Sequence, residues 1–153
     1  MKPWLMFIPW MWISHLLGAV WLTAGVLAGT VISSQLKRTD GDPAGRVFGL
    51  RLAWRLMVVF VVPGVLLTGA LGFYLVTVNP AGTGFNPGWV KLSIALYAVL
   101  LASTLLVQVP QIRKAVRAAE AGQVEPIKLA GILNHVNATI ILVMILLMAF
   151  RPF

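Results

Sequence analysis

Two histidines stand inside long apolar runs of this sequence, His15 and His135. An imidazole can ligate a metal, relay a proton or accept a hydrogen bond near neutral pH. Away from water it is costly to keep unless protein or a ligand takes up its bonds. His135 is flanked by Asn134 and Asn137, and Lys91 with Trp89 opens a third apolar run. The candidate binding set is therefore His15, His135, Lys91, Asn134 and Trp89, with His135 and His15 as candidate metal ligands. Other chemistries lack their parts. There is no cysteine for a thiolate site, and the acidic residues Asp40, Asp42, Glu120 and Glu125 all lie in polar stretches. No P-loop, HExxH or nucleophile elbow is present, which sets hydrolysis aside. The six methionines are scattered, as packing residues are, and form no copper-binding cluster.

The elements that must position these residues are membrane helices. The chain has 153 residues, 59% hydrophobic and 10% charged, with mean hydropathy +0.92, whereas a soluble domain carries about 25% charged residues. About 20 apolar residues suffice for a helical span. Four such runs, about 9–34, 52–78, 89–109 and 129–150, make residues 1–153 one all-α, four-helix transmembrane domain. Continuous hydrophobicity after Lys2 reads as a retained first span, not a cleaved signal. His15, Gly18, Leu22, Gly25 and Gly29 recur at steps of three or four, which marks a face packed on protein, and Gly25 and Gly29 form a close-packing GxxxG. Pro63 lies inside the second span, where it removes one hydrogen bond and frees a carbonyl. Residues 35–51, 79–88 and 110–128 are read as connections, with Ala115–Ala119 favouring a short helical extension in the last.

Charge sets the orientation. Lys37, Arg38, Arg46, Arg51, Arg55, Arg113, Lys114, Arg117 and Lys128 cluster after spans one and three, against Lys2, Lys91 and Arg151 on the opposite side. The excess of basic loops faces the cytoplasm, so both termini lie outside in an up-down-up-down bundle. The same distribution explains the net charge of +8 without nucleic acid. At 1.5 Å per residue, His15 and Lys91 start from the same outer face and can converge near Trp12 and Trp89, whereas His135 approaches the middle from the cytoplasmic side. A pair of haems at one level is poorly supported; one haem on one histidine, or a cavity reaching from His15 to His135, stays open. Each residue also has a plainer reading: His15 bonded to a carbonyl or headgroup, Lys91 snorkelling to the interface, His135 and its asparagines as interhelical hydrogen bonding.

The closing run, Ile132 to Asn137 and on to Arg151-Pro152-Phe153, resembles the last helix of the HemJ-type protoporphyrinogen oxidases. So do His15 with Gly25 in span one, the spacing of Pro63, Thr68 and Gly72, and Trp89 with Lys91 at the start of span three. The likeness touches all four spans and extends to CopD-like membrane proteins. It implies a multi-pass protein of the bacterial inner membrane that binds haem b or another tetrapyrrole, in electron transfer or as a tetrapyrrole oxidoreductase. His15 and His135 would be axial ligands and Lys91 would sit near a propionate or quinone. Where the family has an arginine, a glutamate and a proline, this chain has Val31, His135 and Asn137. The alternatives are a cofactor-free accessory subunit of a larger redox or photosynthetic complex, and CopD-like copper passage. The expected partners are membrane lipids, with a redox complex or a second copy of the chain.

Overall fold

The computed structural model describes residues 8–36, 42–78 and 84–150. Among these there is no strand, and four helical rods are each long and apolar enough to cross a membrane. The first is α1 (Ile8–Leu36) and the last α6 (Lys128–Phe150). The second joins α2 (Pro43–Leu56) to α3 (Val62–Thr77) through a π-helical stretch, Met57–Val61. The third joins α4 (Gly88–Ala102) to α5 (Val109–Glu120) through a longer one, Ser103–Gln108. The four spans expected from hydropathy are all present. Lys2, Lys37, Arg38, Asp40 and Arg151, used in the charge count, lie outside the described residues.

Two expected boundaries move outward for local reasons. Residues 43–51 are helix, not connection. Asp42 caps α2 by accepting a hydrogen bond from the Gly45 amide at 3.0 Å, and Pro43 occupies the first turn, where no N–H is needed. The third rod likewise runs past Val109 to Glu120, ending where Gly122 takes a positive φ of 73°.

Both π-helical stretches stop two residues short of a proline, Pro63 and Pro110. A proline ring clashes with the carbonyl four residues back and offers it no N–H, and widening the preceding turn relieves that crowding. The carbonyl orphaned by Pro63 belongs to Val59. It accepts the Trp21 indole N–H at 2.9 Å, while the Trp21 ring stacks on Phe60 at 5.0 Å. The carbonyl freed by the proline is thus satisfied from the neighbouring helix.

The packing face of α1 is the one expected. A Cβ at Gly18 would lie 2.9 Å from the Thr68 hydroxyl, and one at Gly25 would lie 2.7 Å from Phe60 Cβ. Gly29 meets the Asn134 amide at the same range, and on α3 Gly64 sits against the backbone of Leu22. Gly25 and Gly29 therefore serve contacts inside one chain. Between the rods lies an apolar layer that includes Leu22, Val26, Met57, Val61, Val65, Leu100, Ile140 and Ile141. A smaller cluster of Leu36, Leu50 and Ala115 closes the end where α2, α5 and the start of α6 meet.

Candidate functional site

The strongest candidate lies at the opposite end of the bundle, around α3. His15 is 5% exposed, and its Nδ1 donates to the Thr68 carbonyl at 3.0 Å. One turn back on α3, the Tyr97 hydroxyl of α4 donates to the Val65 carbonyl at 2.9 Å. Small residues make both approaches possible. A Cβ at Gly72 would stand 2.9 Å from the His15 ring, and one at Gly69 would fall on the Tyr97 hydroxyl. His15 of α1 and Tyr97 of α4 form a clasp on adjacent turns of α3.

Beside this clasp is a cavity of about 140 Å³. Its walls are mostly apolar, from Phe73, Trp89, Ile94, Met144 and Met148 among others, with His15, Thr68, Ser93 and Tyr97 as the polar points. Three of those four are already bonded: His15 and Tyr97 as described, and Ser93 to the Trp89 carbonyl at 2.8 Å. The Thr68 hydroxyl is buried and has no partner. A carbonyl only accepts, so Nδ1 of His15 carries the proton and the neutral ring keeps its lone pair on Nε2. That is the orienting arrangement found behind metal-binding histidines, and it suits equally an O–H donor on a guest.

The other expected site residues disperse. Trp89 lines the same cavity as His15, but Lys91, two residues on, is exposed and does not. The expected convergence of His15 with Lys91 is corrected, because Ser93 and Val90 hold the inward face of α4. His135 is exposed, with Nδ1 bonded to the Gly131 carbonyl one turn back at 2.8 Å. It lines a separate open groove with Ser33, Arg46 and Lys128. Gly29 of α1 packs on Asn134, and His15 is fourteen residues back along that helix, about 21 Å of rise. His15 and His135 therefore do not face one another, and no ligand pair forms between them. Among the described residues, no three His, Cys, Asp or Glu side chains come together as a metal-binding group.

Asn134 and Asn137 belong to a different structure, a buried amide ladder. Asn134 donates to the Val26 carbonyl and the Thr30 hydroxyl at 3.1 and 3.2 Å. Asn137, 0% exposed, accepts from Ser103 at 2.8 Å and donates to Gln108 Oε1 at 3.1 Å. Gln108 and Tyr97 are the residues that sequence reasoning passed over. The available signal was the same for both: a lone hydrogen-bonding group within an apolar run.

Haem b can be tested against this geometry. One oriented imidazole suits a ligand, but the volume suits a small one. An apolar cavity of about 150 Å³ holds benzene, whereas pockets enclosing drug-sized molecules run to roughly 300–1,000 Å³. A porphyrin macrocycle does not fit inside.

Four apolar helical rods define a polytopic membrane protein. The chain belongs to the family described as predicted integral membrane protein, DUF2269, whose model matches residues 3–152. No curated protein and no solved structure matches it. Membership of a small membrane-protein family is thus shown, while the likeness to the protoporphyrinogen oxidases remains one of short motifs.

Proposed function

We propose that this protein binds a flat, ring-headed, lipid-soluble redox molecule, of the quinol type, taken up from the bilayer beside α3. The observation that carries the reading is His15, a buried imidazole oriented by a backbone carbonyl and placed on a ring-sized, largely apolar cavity. Such pockets take their affinity from apolar walls and their orientation from a few polar groups. Here the walls come from Trp89, Phe73 and two methionines. His15 Nε2 accepts an O–H of the ring. The inner-membrane redox role implied by the resemblance follows from the guest, with the ring chemistry belonging to it.

Binding is measured by titrating a short-chain quinol into detergent-solubilised protein and following fluorescence, since Trp89 forms part of the wall. His15→Ala should weaken binding about tenfold, the upper scale of losing one neutral hydrogen bond. Unchanged binding in that variant sinks the proposal. Haem is titrated in parallel: a Soret shift in the native protein that disappears in His15→Ala replaces the quinol with a tetrapyrrole lying across the cavity mouth.

A further inference from the structure

At the other end of the bundle, two arginine pairs share one groove. Arg51 and Arg55 are four residues apart on α2, and Arg113 and Arg117 are four apart on α5, so each pair lies on one face of its helix. The two helices pack together, and all four arginines line a single open groove of about 410 Å³ with Trp54 and Glu120. Glu120 bonds Arg51 at 2.9 Å. Of the other described acids at this end, Glu125 is taken by Lys114 at 2.7 Å and Asp42 caps α2. Arg55, Arg113 and Arg117 have no ion pair among the described residues.

Like charges four apart on a helix destabilise it, and turning two such pairs toward one groove compounds the cost. Cytoplasmic placement accounts for basic residues at this end but not for their convergence on one groove. An anion accounts for both. All four are arginine, whose planar fork bonds phosphate oxygens in pairs. The groove opens where two apolar spans emerge from the membrane, beside a tryptophan, at the level where headgroups lie. We propose that the α2–α5 groove recognises the phosphate of an anionic phospholipid headgroup.

The test uses the full chain in nanodiscs of phosphatidylcholine with a minor share of phosphatidylglycerol, followed by native mass spectrometry after a detergent wash. The native protein should retain phosphatidylglycerol over phosphatidylcholine. Arg113→Gln with Arg117→Gln should cut that retention about tenfold or more, at roughly one basic contact's worth of affinity each. Lys114→Gln with Lys128→Gln, an equal loss of charge, should leave it unchanged. Arg113→Lys with Arg117→Lys keeps the charge and folds as the native chain does, yet should retain less lipid, because the paired bonding is lost. Equal loss in the lysine-to-glutamine control, or full retention in the arginine-to-lysine variant, reduces the groove to general charge and overturns the proposal. Displacement of the lipid by millimolar inorganic phosphate overturns the lipid source.

Discussion

A single step along a helix decides what each polar residue of α6 does. Asn134 and Asn137 are three apart and share the inward face, while His135 is turned about 100° from Asn134 and bonds its own helix at Gly131. The buried amides should therefore matter to stability more than the imidazole beside them. Asn137→Ala removes the bonds to Ser103 and Gln108. Bonds of this kind in bilayers average about 0.6 kcal/mol and reach about 1.7, so a loss of roughly 1–2 kcal/mol is expected in SDS-titration unfolding. His135→Ala should change the same midpoint by less than about 0.5 kcal/mol, the usual range for exposed positions. A larger loss at His135 than at Asn137 would mean the two faces have been assigned the wrong way round.

At the scale of elements, glycines split by what they touch. A methyl group at Gly64 would meet the Leu22 Cα at 2.8 Å, backbone that cannot swing aside. Gly64→Ala should destabilise by about 1–3 kcal/mol, as overpacking does. At Gly131 the nearest atom is 4.0 Å away, so Gly131→Ala should stabilise by roughly 0.5–1 kcal/mol through helix propensity. The opposite signs are read in one set of thermal melts in detergent. Trp21 and Pro63 should couple: Trp21→Phe keeps the stacking on Phe60 but strands the Val59 carbonyl. In a Pro63→Ala background the new N–H can serve that carbonyl, and a double-mutant cycle should show most of the penalty gone. The sequence made much of this legible. Span number, the glycine face of α1 and the freed carbonyl at Pro63 all follow from spacing and from what proline lacks. The π-helical turns do not, since an extra residue per turn depends on how neighbouring helices fill the gap. The facing of His135 is not legible in the same way, because a polar cluster in sequence looks like one site, whereas on a helix it divides between faces. Tyr97 could not be placed from spacing alone, because its partner, the Val65 carbonyl, is backbone and carries no signal in the sequence.

For the whole molecule, the described basic side chains of α2, α5 and the start of α6 gather at one end, and His15 lies toward the other. The absence of native cysteine makes the orientation easy to read. Val124, in the turn between α5 and α6 and 75% exposed, can be replaced by cysteine. In sealed, right-side-out vesicles Val124→Cys should resist a membrane-impermeant maleimide until the vesicles are opened, as the placement of basic loops requires. Labelling from outside would invert the topology.

The apolar layer has one more effect, an electrical one. From His15 to Val26 along α1 is about 16 Å of rise, and the interior there is Leu22, Val65 and Leu100. Among the described residues, no hydrogen bond joins the amide ladder to His15 or Tyr97. If the cavity takes a quinol as proposed, a proton given up at His15 would leave toward its own face of the bilayer, and turnover would be sensed on a single side.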